Sequence, residues 1–293
     1  MLKGGVVIFP TETVYGIGAS AKDFQACSRI YTIKNRPSDN PFILHVFNIE
    51  EVKKIAHISN LANSIFEIYS PGPITLILKK KDKDLFSSNL DTIGVRIPRN
   101  KTALEFLLHV GVPICAPSAN ISGKPSITKL EDIESEFSEK VDLILKGEEP
   151  EIGLESTVID FSVNPPILLR HGKISYIDLL EYIPDLRVVE NVENAIKSPG
   201  LKYRHYAPDC KVILCDNLLD IERHENSAQI GFQFHLSLNI NKKVKDNLEY
   251  MKELYSFFIQ CDKNKIQTAY CEIPNEDKYK PALMDRISRA IKK

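Results

Sequence analysis

Short apolar runs that stop at a proline and open into a polar loop recur through the first half of the chain. Residues 5–9 meet Pro10, residues 92–97 meet Pro98, and residues 112–116 meet Pro117. Proline has no amide hydrogen to give a sheet ladder, so it ends a central strand. Runs this short predict buried strands, and further ones read at 42–46, 74–78, 143–145, 156–160 and 167–172. Helical stretches are fewer: residues 22–33, a region ending near Tyr69, about 128–137 with Thr128 as its cap, and about 175–182. Many strands, few long helices, and polar or cationic residues gathered at strand ends suit a twisted mixed α/β sheet with a ligand cavity on it.

From about residue 184 to 208 apolar periodicity fades, and Pro184, Pro199 and Pro208 punctuate the chain. This divides it into a first domain at 1–183, a linker at 184–208 and a second domain at 209–293. In the linker Lys202, Arg204 and His205 interleave with Tyr203 and Tyr206, a pattern that, taken alone, suits nucleic acid. Beyond it come strands at 211–215, 228–232 and 268–273, a helix at 241–261 and a terminal helix to Lys292. Val244, Leu248, Met251, Tyr255 and Phe258 form the expected buried stripe of the first of these helices. The alternation predicts a small Rossmann-like three-layer domain without a phosphate fingerprint.

Charge and cysteine content narrow the function classes. The 293 residues carry 38 basic and 39 acidic side chains, a net of −1, so no global field steers the chain onto nucleic acid and an RNA contact must be a local patch. The six cysteines (Cys27, Cys115, Cys210, Cys215, Cys261, Cys271) make no C-x-x-C pair and read as reduced thiols of a cytoplasmic protein, not a zinc site. Nothing approaches the roughly 18 apolar residues of a membrane span. No P-loop, H-E-x-x-H or kinase motif set occurs. Residues 16–21 match G-x-G-x-x-A, but a polar hexapeptide separates them from the preceding strand, which argues against a dinucleotide site.

The chemistry-bearing residues are cations and small polar side chains. Lys34 and Arg36 flank a single residue, and Pro37 and Pro41 bias Arg36 and Asn40 away from helix. In an extended loop both cations can converge on one anion. Arg96 lies inside an apolar strand, where it must meet either a structural acid or a ligand carboxylate. Arg170 repeats that arrangement. Ser118 lacks both the nucleophile elbow and a base, so it reads as a hydrogen-bonding residue. Such a set suits a triphosphate or carboxylate cavity. Without a carboxylate cage, magnesium would be held mainly by the phosphates of the substrate.

In order along the chain stand Phe9-Pro-Thr-Glu-Thr-Val-Tyr-Gly16, Lys34-Asn-Arg-Pro-Ser-Asp-Asn-Pro41, Pro71-Gly-Pro-Ile-Thr75, Val95-Arg-Ile-Pro98, Ala116-Pro-Ser-Ala-Asn-Ile-Ser-Gly123, Glu155-Ser-Thr-Val-Ile-Asp160 and Leu169-Arg-His-Gly172. This series closely resembles the YrdC domain of threonylcarbamoyl-AMP synthases. Residues 198–208 resemble the linker of the two-domain form, and 284–287 resemble the closing helix of its second domain. The resemblance implies an enzyme, a nucleotidyltransferase that joins L-threonine, bicarbonate and ATP to threonylcarbamoyl-AMP and pyrophosphate. A separate transferase complex would then pass the group to tRNA, and a weak tRNA contact is compatible with that role. Residue by residue it implies threonine contacts at Thr13, His45, Arg96, Ser118 and Ser156. It implies ATP contacts at Lys34, Arg36, Asn40, Thr92, Ala116, Asn120, Ser126, Arg170 and Tyr206, with Lys34 and Arg36 as the catalytic cations and the linker as a lid. His171 departs from the proline usual in the family, and the chain starts closer to its first glycine pair. The competing readings are an RNA-binding module without adenylate chemistry and a carbamoyl-transfer domain of hydrogenase maturation.

Overall fold

The computed structural model describes residue 1 and residues 3–88, 90–188, 206–218, 226–233 and 238–291. Lys202, Tyr203, Arg204 and His205, and most of the proposed linker, lie outside the described residues.

The chain opens with β1 (Val7–Phe9) and β2 (Gly16–Ser20), an antiparallel pair. Gly16 and Gly18 are therefore strand residues. A Cβ on Gly18 would lie 2.7 Å from Ile114 Cγ2 and 3.0 Å from the Phe9 ring, so these glycines serve sheet packing and not a dinucleotide turn. There follow α1 (Phe24–Lys34), β3 (Ile43–His45), α2 (Ile49–Ile55), β4 (Ala56–His57), α3 (Asn60–Tyr69), β5 (Ile74–Lys80) and β6 (Thr92–Arg96). Next come α4 (Lys101–Val110), β7 (Ile114–Ala116), α5 (Leu130–Phe137), β8 (Leu143–Ile144), β9 (Thr157–Asp160), β10 (Ile167–Arg170), α6 (Tyr176–Leu180) and β11 (Arg187–Val188). These eleven described strands form one sheet, ordered β11-β10-β9-β5-β6-β3-β7-β2-β1-β8 with β4 on β5. Parallel pairs (β3–β6, β5–β9) alternate with antiparallel ones (β3–β7, β5–β6), which is the mixed sheet expected. Its apolar face, with Ile8, Ile17, Leu44, Leu76 and Val95, packs on Ile30 of α1, Ile65 of α3 and Phe137 of α5. Burial of such a continuous apolar surface is the main stabilising term. Because β11 pairs with β10, the sheet runs into the segment read as linker.

The second unit contains β12 (Lys211–Cys215), β13 (Ser227–Gly231), β14 (Ile240–Lys243), α7 (Asn247–Lys263), β15 (Thr268–Glu272) and α8 (Lys280–Ile291). Its strands are all parallel in the order β12-β15-β13-β14, with α7 and α8 packed on them and on each other. The helix expected at 241–261 is corrected here. Residues 240–243 are a strand, and α7 starts only after Asp246, whose carboxylate accepts the Glu249 amide at 2.8 Å. Val244 falls at helical spacing with Met251 by coincidence, since it precedes the helix, and Leu248, although helical, is 41% exposed. The buried stripe is Met251, Leu254, Tyr255 and Phe258. A second correction concerns α5, whose N-cap position is Lys129 and not Thr128. Glu149 Oε1 takes the Leu130 amide at 2.9 Å instead, a cap supplied from too far along the chain to be read locally.

The two units meet along a closely packed seam. Gly153 has φ +84°, and a Cβ there would sit 2.4 Å from the Met251 carbonyl oxygen of α7. Ion pairs Lys124–Asp262 (2.9 Å), Lys278–Asp178 (3.0 Å) and Lys263–Asp132 span the same boundary.

Candidate active site

The ends of β3, β6 and β10, the turn between β1 and β2, and the loop after β7 surround a half-open cavity of about 50 Å³. Arg36, His45, Arg96, Ala116, Ser118, Asn120, Glu155, Ser156, Arg170 and Tyr206 all line it. Sheet register explains the convergence: His45 and Arg96 are direct partners on β3 and β6, so two residues 51 positions apart in sequence end side by side. The cavity is small beside the roughly 300–1,000 Å³ usual for ligand pockets.

On one side the polar groups suit a small zwitterion. Arg96 is 4% exposed, and its terminal nitrogen donates to Glu12 Oε1 at 2.8 Å. Its Nε is buried and has no partner among the described residues. The structural ion pair is therefore present, and it engages only part of the guanidinium of a residue that also lines the cavity. His45 Nδ1 sits 3.2 Å from the Ile43 carbonyl, and its ring meets Phe9 edge-on at 5.8 Å. Burial first, then the Arg96 charge, pushes the His45 pKa down to about 3, so the imidazole is neutral near pH 7. Ser156 Oγ lies 2.7 Å from Thr75 Oγ1. The Thr13 hydroxyl is fully buried 2.8 Å from that of Thr11, and it is Thr11 that lines the cavity.

The other side holds cations. α1 continues through Lys34 and ends at Asn35, whose left-handed backbone (φ 50°) returns its amide to Thr32. The extended loop expected from Pro37 and Pro41 is corrected by this turn, after which Arg36 lines the cavity and Lys34 does not. Lys34 is 1% exposed and does not line the cavity; its ammonium donates to the Ser118 carbonyl at 2.7 Å and to the Asn120 carbonyl. Burial, reinforced by Arg36 and opposed by Glu155, drives its pKa well below the usual lysine value. Arg36 does face the cavity. Its Nε and a terminal nitrogen donate to the Asn40 and Pro41 carbonyls at 3.3 and 3.2 Å, and its guanidinium carbon lies 5.7 Å from the Phe42 ring centre. Burial lowers its pKa to about 10, which leaves it charged. Arg170 donates to the Ser156 carbonyl at 2.9 Å and to Ser156 Oγ at 3.1 Å. Ser118 Oγ donates to Asn120 Oδ1 at 2.6 Å, in keeping with its reading as a hydrogen-bonding residue without a base.

Besides Lys34, three more of the expected nucleotide contacts are not in the lining. Asn40 is buried behind Arg36, Ser126 donates to Glu155 Oε1 at 2.6 Å, and Thr92 stands at the far end of β6 from Arg96. Four residues at strand rise separate Thr92 from Arg96 by roughly 13 Å.

Sequence reasoning missed Glu12, Glu155, Tyr255 and Arg286. Glu12 had a signal, since a buried arginine demands an acid. Glu155 is nearly fully buried, and although burial would raise its pKa, Arg286, Arg170 and Ser126 hold it below the usual carboxylate value. Tyr255 and Arg286 belong to the second unit, over 95 residues away from Glu155, and only the tertiary fold connects them.

A family model described as telomere recombination matches residues 1–172, and one described as the C-terminal domain of threonylcarbamoyl-AMP synthase matches residues 174–291. The threonylcarbamoyl-AMP synthase of Pyrococcus abyssi is 41% identical over 76% of this chain and 68% of its own. That of Bacillus subtilis is 33% identical over 97% of this chain and 89% of its own. The crystal structure of Pyrococcus abyssi Sua5 with L-threonine superimposes with a TM-score of 0.91 at 34% identity, covering 99% of this chain and 91% of that one. With both units matched in order and nearly end to end, the chain belongs to the two-domain threonylcarbamoyl-AMP synthase family.

Proposed function

We propose that the cavity condenses L-threonine, bicarbonate and ATP to threonylcarbamoyl-AMP and pyrophosphate, with Arg96 and Arg36 dividing the work. The observation that carries this reading is the gathering of Arg36, Arg96 and Arg170 around one cavity beside a neutral histidine. The threonine carboxylate pairs with the part of Arg96 that Glu12 leaves unused. Neutral His45 and the Ser118 and Ser156 hydroxyls supply hydrogen bonds without repelling the amino group; Thr11 and Thr13 stand next to them. The amine takes up bicarbonate as a carbamate with loss of water. A carbamate oxygen then attacks the α-phosphorus in line and pyrophosphate leaves. No covalent enzyme intermediate is involved, so catalysis is positioning and neutralisation of phosphate charge.

In this reading Arg36 and Arg170 neutralise the triphosphate. Lys34 supports them from behind by tying α1 to the Ser118–Asn120 loop, which with Ala116 forms a wall of the nucleotide site. Asn40, Ser126 and Thr92 would contact ATP only after the walls shift, and Tyr206 covers the site. No cluster of His, Cys, Asp or Glu suited to a metal occurs among the described residues, so magnesium would enter on the triphosphate, and no step is assigned to a protein-held ion. The product would pass to a tRNA-modifying transferase complex in the cytoplasm. No described helix is long and apolar enough to cross a membrane.

An RNA-binding module fits less well, because Lys34, Arg36, Arg96 and Arg170 are each at most 9% exposed, whereas a polymer backbone needs cations at the surface. The test is pyrophosphate release from ATP with magnesium and bicarbonate: it should depend on L-threonine, and release that proceeds equally without threonine would refute the assignment.

A further inference from the structure

The proposed reaction leaves one buried cluster without a part to play. Arg286 of α8 has no exposed surface. Its Nε donates to Glu155 Oε2 at 3.0 Å, and its terminal nitrogens donate to the His171 carbonyl at 3.1 Å and to Asp285 Oδ2 at 2.6 Å. Tyr255 of α7 donates its hydroxyl to the same Glu155 oxygen at 3.0 Å, while Ser126 occupies the other. The Tyr206 ring lies in the same cluster, stacked on Tyr255 at 5.4 Å with the Arg286 guanidinium 5.3 Å from its centre. Glu155 and Tyr206 line the cavity; Tyr255 and Arg286 come from the second unit.

A purely stabilising role is a poor account of this cluster. Burying an arginine–glutamate pair costs desolvation that a packed apolar pair avoids. The arrangement instead controls where Glu155 points. Within a cavity that also contains Arg170, a carboxylate deprived of Arg286 would lose its fixed place against Ser126, and Tyr206 would lose the cation beneath its ring. We propose that Arg286 is a positioning residue of the active site, acting through Glu155 and Tyr206 so that the second unit sets the affinity of the first for the nucleotide. This rests on the assignment of the Ser126, Arg170 and Tyr206 side of the cavity to ATP.

The test is calorimetric binding to the full chain, using L-threonine and α,β-methylene-ATP, whose bridging carbon prevents pyrophosphate from leaving. Arg286→Met should weaken analogue binding about tenfold or more and threonine binding by under about twofold. Arg286→Lys should recover part of the loss. Adding Glu155→Gln to Arg286→Met should also recover part of it, because the second change removes a buried charge that the first left unpaired. A merely structural residue would weaken both ligands together, so the selectivity between them is the deciding readout. Should Arg286→Met fail to fold, Tyr255→Phe and Arg286→Lys decide the matter through a selective, few-fold loss of analogue affinity. Equal loss of both ligands, or no loss, overturns the proposal. Arg36→Met serves as the control: if it abolishes analogue binding while the Arg286 variants bind normally, the nucleotide site stands and this inference falls. If the unaltered protein binds no analogue, the nucleotide assignment falls first and this inference with it.

Discussion

Lys34 and Arg36 differ in what their removal should do. Arg36 faces the cavity from a nest of carbonyls, so Arg36→Met should lower kcat/KM for ATP by about 10²–10³, the usual cost of losing one preorganised donor, with little change in melting temperature. Lys34→Met strips partners from the Ser118 and Asn120 carbonyls deep in the fold and should cost about 1–3 kcal/mol of stability as well as activity. Steady-state kinetics alongside thermal melts separate the two; a Lys34 variant of unchanged stability would contradict its placement. His45 makes a prediction in pH. Its folded pKa, about 3, is below the ordinary 6.5, so the unfolded chain binds the extra proton between these values. The stability it contributes is complete above pH 6.5 and drains away as pH falls toward 3, by up to about 1.4 kcal/mol per unit. His45→Gln should flatten that part of the melting-temperature profile, and an unchanged slope would show that His45 titrates normally. Arg96 shows how far a single residue can be read: an arginine in an apolar strand announces a buried partner, but only the fold reveals that Glu12 takes one terminal nitrogen of the guanidinium.

Among the elements, the strands were the most legible, because short apolar runs ending at proline have few other uses. All of those in the first half appear in the sheet, and the cation-bearing ends of β6 and β10 are where the sequence places them. Helix boundaries were less so. The start of α7 was misjudged because a strand abuts it in helical phase, and the cap of α5 because Glu149 reaches it from a separate loop. The Lys34–Pro41 stretch failed for a different reason: proline restricts the residue before it, yet says nothing of Asn35, and the left-handed turn there decides which way each cation points. The seam between units yields its own prediction. At Gly153 a side chain meets both an unfavourable φ and the backbone of α7, so Gly153→Ala should destabilise the protein by about 1–3 kcal/mol and weaken nucleotide binding with it. A melting temperature within a degree or so of the unaltered protein would mean the seam is looser than described.

At the scale of the molecule, the second unit was readable as a fold and unreadable as a participant. Three of its four described strands and both described helices follow from periodicity, β14 being the one misread as helix, but nothing local marks Tyr255 or Arg286 as neighbours of Glu155. That contact is made between residues 100 and 131 positions apart, and its meaning lies in the cavity it closes. The sheet delivers the arginines, the loop after β7 forms a wall, and Tyr255 and Arg286 of the second unit reach Glu155 and the Tyr206 ring at the same cavity. By this mechanism the cationic cavity builds a carbamoyl adenylate. Mass spectrometry of a reaction containing ATP, magnesium, L-threonine and ¹³C-bicarbonate tests it directly. The expected product is threonylcarbamoyl-AMP bearing the label, formed with an equal amount of pyrophosphate and lost in Arg36→Met. Turnover of ATP to ADP and phosphate, or an adenylate that carries no label, would contradict the account.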